Sequence, residues 1–135
     1  MSQTKLHKEY EAISDRFFET LYTFWPPHAT RQGFHEYDHS LGYYGRDAIE
    51  ATLQTMKELQ TELAEIDPIE MDHVHALDYP VLTTRMKREI FWIEKWRFWE
   101  RNPLFYKVVI VEGIFNLVSR NFAPLNERFR SVIRR

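Results

Sequence analysis

Apolar residues recur at steps of three and four along most of the chain, which is the spacing of one face of an α-helix. One such stripe, within residues 3–25, consists of Leu6, Tyr10, Ile13, Phe17, Leu21 and Phe24. A second stripe, within residues 47–66, consists of Ile49, Leu53, Met56, Leu59, Leu63 and Ile66. Both segments end at a proline, which disfavours the helical conformation in the residue before it. Two amphipathic helices are therefore predicted, with a loop over residues 26–45 between them.

Three further helices are predicted in the second half of the chain. Asp78 is a favourable N-cap and Pro80 suits only a first turn, so a helix is expected over residues 79–101. Residues 105–119 are apolar almost all round, which suits a helix buried on several sides, although the run Val108–Val111 also suits a strand. A last segment, residues 124–135, has no terminal stop signal and looks interrupted. The pattern predicts an all-α fold of about four to five helices in an irregular array.

Length and charge limit the classes of function. The 135 residues suit one domain, and because no Gly- or Ser-rich linker marks a boundary, residues 1–135 are predicted to form a single helical region. A formal net charge of -2 favours neither nucleic acid nor an anionic membrane as a partner. The sequence has no cysteine, no secretory signal and no apolar run near the ~20 residues that span a bilayer. A cytoplasmic protein is therefore expected.

The most unusual chemistry lies in the predicted loop, at His35-Glu36-Tyr37-Asp38-His39. This string matches the His-Glu-x-x-His signature, in which two imidazoles one helical turn apart bind zinc and the glutamate acts as a base. The surrounding sequence opposes that geometry, because few residues separate Gly33 from Gly42 and short isolated helices are marginal. A buried Asp38 carboxylate between the ligands would also be costly.

A structural loop is the favoured interpretation of the same string. Gly33 would make a turn, and Asp38 or Ser40 would bond the backbone of the loop itself. The rings of His35 and Tyr37 would pack beneath the loop. No catalytic residue and no metal ligand is assigned on this interpretation, and zinc at His35 and His39 remains the less favoured alternative.

The remaining polar residues give no independent sign of a site. His7 and His28 stand alone in the sequence, and His73 and His75 are two residues apart in a polar stretch. Third zinc ligands are available on paper at His73, His75, Glu58 or Glu62, but nothing selects one. The four arginines near the end are interpreted as a solvated helix face. They are Arg128, Arg130, Arg134 and Arg135.

Several spaced blocks carry a family resemblance. The first is Ala29-Thr30-x-x-Gly33-x-His35-x-Tyr37-Asp38-x-x-Leu41, and Asp78 follows before a long helix. The later blocks are Trp99-Glu100-Arg101-Asn102-Pro103-Leu104-Phe105-Tyr106, then Arg120-Asn121-Phe122-Ala123-Pro124 with Glu127-Arg128. In this order the blocks resemble the N-terminal region of the bacterial family catalogued as domain of unknown function 885.

The resemblance implies a helical protein of several hundred residues that is similar to zinc-dependent peptidases. The family's zinc signature includes Pro-Gly-His-His far toward the C-terminus, and this string does not occur here. No zinc ligand is therefore carried over, and zinc is implied only for the full-length family. The positions that recur in the family pattern are His35, Tyr37 and Asp38, which makes them the candidate cleft-lining residues, whereas the position of His39 is not fixed.

The leading hypothesis is a non-catalytic N-terminal helical portion of such a zinc-peptidase-like hydrolase, which forms part of its core and cleft wall. Its partner would be the remainder of the parent polypeptide, because an aromatic content of 16% and the apolar residues 105–119 suggest surface meant for further protein. One alternative is a stand-alone helical module that dimerises through its aromatic surface. Another is a small zinc hydrolase with His35 and His39 as ligands and Glu36 as base.

Overall fold

The computed structural model describes residues 3–135, with side chains from Lys5 onward, and all regular structure in that range is helical. The α-helices are α1 (Gln3–Phe24), α2 (Pro26–Gln32), α3 (Arg46–Ala64), α4 (His73–Phe91), α5 (Phe98–Arg101), α6 (Leu104–Ser119) and α7 (Leu125–Arg134). Short 3-10 turns lie at His35–Tyr37 and Pro68–Glu70. The predicted all-α class is confirmed for the described residues. They form more helices than the four to five expected, because the short helices α2 and α5 were not predicted as separate elements.

The chain separates into two compact units, each built from two stretches of sequence. Unit 1 contains the described residues up to Thr20 together with Ile49–Arg97, and unit 2 contains Leu21–Ala48 and Phe98–Arg135. The sequence predicted one region because no linker marks a boundary. The boundary after Thr20 lies inside α1 and the boundary after Ala48 lies inside α3, so an uninterrupted helical pattern crosses both.

The predicted apolar stripes form the core of unit 1. Phe17 of α1, Met56 of α3 and Met86 of α4 are completely buried. Other buried core residues of this unit are Leu6, Tyr10, Ile13, Leu59, Leu63, Leu82, Ile90 and Ile93. Burial of each large apolar side chain stabilises a fold by roughly 1.5–3 kcal/mol, so these stripes are the main source of stability in the unit.

Helix α4 begins at His73 rather than at residue 79, the predicted start. Asp72 is the N-cap, and its Oδ1 accepts hydrogen bonds from the backbone N–H groups of Val74 (2.9 Å) and His75 (3.0 Å). This cap satisfies two of the amides that a helix start leaves unpaired. The helix therefore begins before Pro80, which lies in its interior. The predicted start at residue 79 was wrong because Pro80 was expected only within a first turn.

The predicted helix 79–101 is also divided near its end. A π-helical turn at Trp92–Trp96 follows α4, and Arg97 then adopts a left-handed conformation with φ 51° before α5 begins. Such wide turns are rare and side chains other than glycine seldom adopt positive φ. The apolar pattern continues across the break, which is why periodicity alone did not reveal it.

In unit 2, the predicted loop 26–45 contains helix α2. Pro26 and Pro27 end α1, and they also begin α2, because a proline is well suited to the first turn of a helix. The helix ends at Gly33, where φ is 96° and the N–H donates to the carbonyl of Thr30 at 3.1 Å. The predicted turn at Gly33 is therefore confirmed.

Helix α6 packs against α2 and α7 within unit 2. Its buried residues are Phe105, Val109, Gly113, Asn116 and Leu117. Gly113 allows a close approach, since a Cβ atom there would lie 2.5 Å from a methyl group of Leu41. Between residues 3 and 135, no helix combines the length and the apolar character needed to cross a membrane.

Candidate functional site

The His35–His39 string lies on a 3-10 turn rather than on an α-helix. The turn covers His35–Tyr37, and the N–H of Asp38 donates to the carbonyl of His35 at 3.1 Å. Glu36 and His39 are exposed. The His-Glu-x-x-His signature requires its two histidines on one face of an α-helix, and that local structure is not formed at these residues.

Asp38 is the centre of a buried polar cluster. Its side chain is only 8% exposed, and Oδ1 accepts a hydrogen bond from the Thr30 hydroxyl at 2.7 Å. Its second oxygen, Oδ2, lies 3.0 Å from Nδ1 of His35. Because a carboxylate only accepts hydrogen bonds, the proton of this contact belongs to His35 when Asp38 is ionised. Both carboxylate oxygens are thus satisfied within the loop and α2.

Arg135 joins the same cluster from the end of α7. Its side chain is 1% exposed, Nε donates to the Asp38 carbonyl at 2.8 Å, and Nη2 donates to the Thr30 hydroxyl at 2.5 Å. Nη1 donates to the carbonyl of Gly113. Burial lowers the pKa of Arg135, and the nearby Asp38 charge partly opposes that effect. The guanidinium therefore connects α2, the loop and α6 in one network.

Arg128 is also buried, although the sequence predicted it on a solvated helix face. Its exposed fraction is 7%. The guanidinium donates to backbone carbonyls at the end of α6 and just after it, namely those of Leu117 (3.2 Å), Val118 (2.8 Å), Arg120 (2.9 Å) and Ala123 (2.9 Å). The prediction was wrong for both arginines. Arg128 is buried because it satisfies carbonyls 5 to 11 residues earlier, whereas Arg135 donates to the carbonyl of Asp38, 97 residues earlier.

The aromatic packing around the loop agrees with the structural interpretation of the string. The ring of His35 stacks on Phe122 with 3.7 Å between centroids, and Tyr37 meets Tyr22 edge-on at 5.9 Å. The hydroxyl of Ser40 accepts a hydrogen bond from the N–H of Gly42 at 3.0 Å. Asp38 therefore holds the loop, while His35 and Tyr37 remain partly exposed. Their role as cleft-lining residues stays a prediction.

A second group of polar side chains, in unit 1, was not predicted. Within the described residues, His7, Asp72 and His75 are the three side chains that could hold a metal ion, with ligand atoms all within 4.8 Å of one another. Asp72 Oδ2 lies 3.2 Å from His7 Nε2 and 2.8 Å from His75 Nδ1. The two imidazole rings stack at 4.4 Å with an interplanar angle of 9°.

The sequence offered only part of the signal for this group. Asp72 and His75 are three residues apart, the spacing of an N-cap and a residue in the first helical turn. His7 comes from α1, 65 residues earlier than Asp72, so only the packing of α1 beside the start of α4 brings it there. The sequence interpretation of His7 as an isolated residue could not anticipate that packing.

Hydrogen bonding at the start of α4 shifts two pKa values in opposite directions. The side-chain hydrogen bond to Asp72 raises the pKa of His75. The pKa of Asp72 is lowered, first by the backbone N–H of His75 and then by its side chain. Tyr10 meets His75 edge-on at 5.7 Å, and burial raises the pKa of its hydroxyl. The group therefore combines an ionised carboxylate with two imidazoles.

Comparisons of the chain with protein-family models, with curated proteins and with solved structures find no significant match. The assignment to the domain-of-unknown-function 885 family thus remains a prediction that depends on the sequence blocks.

Proposed function

We propose that this chain is a cytoplasmic, non-catalytic helical portion of a zinc-peptidase-like hydrolase of the domain-of-unknown-function 885 family. Its role is to form part of the core and of the substrate-cleft wall of that protein. The chain itself supplies no zinc ligand to the reaction. Its partner is the remainder of the parent polypeptide, and the catalytic zinc belongs to that larger protein.

The apolar outward face of α6 is the observation that carries this proposal. The outward stripe consists of Leu104, Val108, Val111, Phe115 and Val118, all exposed and spaced by three or four residues. Val111 is 53% exposed and Phe115 is 64% exposed. Ile110 and Ile114 widen the same side of the helix. A contiguous apolar surface of this kind is typical of an interaction site and rare on a finished surface.

The sequence blocks that carry the family resemblance favour one occupant for this stripe. The block 99–106 immediately precedes and enters α6, and the block 120–124 immediately follows its last residue, Ser119. The two blocks therefore bracket the helix whose outer side is uncovered. In a protein of the proposed kind, further helices of the same polypeptide would pack on the stripe.

The loop that carries His35, Tyr37 and Asp38 fits a role in a cleft wall. Asp38 is buried and holds one nitrogen of His35, so the imidazole is fixed in orientation while 37% of its side chain is exposed. Side chains that contact a substrate work best when neighbouring hydrogen bonds hold them. We therefore propose that His35 and Tyr37 face the substrate and that Asp38 positions His35.

Light scattering on the isolated chain tests whether the outward stripe is a surface on which further protein packs. We expect self-association without a fixed stoichiometry, and we expect the double substitution of Val111 and Phe115 by serine to reduce it strongly. Serine at Val74 and Val81 is the matched control, because these residues are similarly exposed on α4. A discrete symmetric dimer that the first substitution abolishes would contradict the proposal and favour a stand-alone dimerisation module. A monomer that neither substitution changes would also contradict it.

A further inference from the structure

We propose that His7, Asp72 and His75 form a binding site for a divalent first-row transition metal ion, for which zinc is the test ion. This site lies in unit 1, away in sequence from the His35–His39 string. It uses no residue of the family resemblance. The inference is independent of the proposed function, since it depends only on the geometry at the start of α4.

The separations between the ligand atoms suit a metal with tetrahedral coordination. Zinc binds imidazole nitrogen at about 2.0–2.1 Å and carboxylate oxygen at about 2.0–2.2 Å, which places neighbouring ligand atoms about 3.4 Å apart. Asp72 Oδ2 lies 3.2 Å from His7 Nε2 and 2.8 Å from His75 Nδ1. The two imidazole rings are stacked and nearly parallel, so the His7 ring would have to rotate out of the stack before both nitrogens could direct their lone pairs at one ion.

Nε2 of His7 offers a lone pair to the site. It accepts a hydrogen bond from the backbone N–H of Asp72 at 3.3 Å and lies 3.2 Å from Asp72 Oδ2. An imidazole nitrogen has one lone pair in the ring plane, so a metal ion on Nε2 would replace this long hydrogen bond. Oδ2 would bind the same ion through a lone pair of its own.

Neighbouring groups hold the ligands in place. Oδ1 of Asp72 is fixed by the N-cap hydrogen bonds, which leaves Oδ2 directed at the histidines. Nε2 of His75 lies 3.6 Å from Oε1 of Glu11, within ion-pair range. When a histidine binds a metal through one nitrogen, a carboxylate beside the other nitrogen fixes the ring and raises its basicity. Glu11 is placed to do this for His75.

The type and exposure of the ligands indicate the class of ion. Two imidazoles and one carboxylate suit zinc, copper or nickel, whereas magnesium and calcium prefer oxygen ligands. The side chains of His7 and His75 are 20% and 21% exposed, and that of Asp72 is 40% exposed. Solvent can therefore reach the site and supply the remaining ligand positions.

Zinc titration by calorimetry on the tag-free, chelator-treated chain tests the inference. We expect one zinc ion per chain and a melting temperature that rises with zinc but not with magnesium, since an ion that binds only the folded state stabilises it. His7→Gln, His75→Gln and Asp72→Asn should each weaken binding at least tenfold. Asparagine is also a good N-cap, so Asp72→Asn keeps the start of α4. His73→Gln, on the same helix turn but outside the group, is the matched control and should bind as the unaltered chain does.

Cobalt substitution gives a second readout that needs no variant. Visible absorption bands of tetrahedral cobalt, displaced by one equivalent of zinc, are the expected result on the unaltered chain. The inference is overturned if the unaltered chain binds neither ion, or if His7→Gln and His75→Gln leave binding unchanged. It is also overturned if binding is lost only in His39→Gln, which would place the metal at the loop string.

Discussion

At the scale of single residues, burial determines which charged groups contribute most to the stability of the fold. Asp38 sits in a network where each polar atom has a partner, with Thr30 and His35 on its carboxylate and Arg135 on its carbonyl. Removal of one member of such a network leaves the others buried and unsatisfied, which costs more than the hydrogen bonds were worth.

We therefore expect Asp38→Ala to lower the free energy of unfolding by about 2–4 kcal/mol. The substitution removes the carboxylate that accepts from Thr30 and His35 and that lies 3.9 Å from the buried Arg135 guanidinium. Glu36→Ala is the control, since Glu36 is exposed on the same turn and should change stability by less than about 0.5 kcal/mol. Urea unfolding monitored by circular dichroism measures both values. Equal effects of the two substitutions would show that the cluster is not structural.

Glu94 gives a prediction about pH in unit 1. The side-chain hydrogen bond from Lys57 lowers the pKa of Glu94. A carboxyl whose folded pKa is below its unfolded value stabilises the fold at pH values above the unfolded pKa, and that stabilisation is lost as the pH falls through the folded pKa. We expect Glu94→Gln to be less stable than the unaltered chain at neutral pH. This stability difference should shrink as the pH falls below about 4.3, where free glutamate titrates.

The control for this prediction is Glu50→Gln, an exposed glutamate on α3. Denaturant unfolding at several pH values measures the stability difference for each variant. If the stability difference between Glu94→Gln and the unaltered chain stays constant from neutral to acid pH, the hydrogen bond with Lys57 is contradicted. A difference that grows toward acid pH would contradict the sign of the pKa shift.

At the scale of helices, the long amphipathic segments were predictable and the short connections were not. The buried stripes of α1 and α3 could be predicted because the periodicity of apolar residues indicates which helix face is buried. The start of α4 was missed because a side-chain cap at Asp72 outweighed the position of Pro80. Helix α2 was missed because two prolines that end one helix also begin the next. Caps and prolines act through a few atoms, which a pattern of apolar positions does not record.

The candidate sites were likewise predictable only in part. The loop around His35–Asp38 was recognisable because Gly33 and Ser40 have the local roles in turns that were predicted for them. The Asp38 carboxylate instead bonds the side chains of Thr30 and His35. The burial of Arg135 and the meeting of His7 with Asp72 depend on packing between segments 97 and 65 residues apart. Arg128 is buried because α7 lies against the end of α6. A single sequence contains no spacing that reports such contacts.

Arg128 yields a prediction at this scale, because it acts as a cap for the end of α6. Its planar guanidinium donates to several carbonyls at once, and a lysine ammonium cannot reproduce that arrangement. We expect Arg128→Lys to lower the free energy of unfolding by about 1–3 kcal/mol. Arg130→Lys, exposed two residues away on the same helix, should change it by less than about 0.5 kcal/mol. Thermal unfolding compares the two, and equal melting temperatures would rule out the capping role.

At the scale of the whole molecule, the two compact units each contain buried apolar residues, while α6 also presents apolar residues to solvent. A helix that is apolar on both sides is expected where protein lies on both sides. This surplus supports the proposal that further protein packs on the outward stripe, because that stripe is exposed in the described residues.

The mass of the native protein tests this account most directly. Peptides from this chain can be used to identify the intact protein in cell extract, and mass spectrometry then gives its size and further sequence. We predict a protein several times heavier than the 16.4 kDa of this chain, rich in helix-forming sequence and containing Pro-Gly-His-His. An intact native mass of 16.4 kDa would contradict the proposal that further helices of the same polypeptide cover α6.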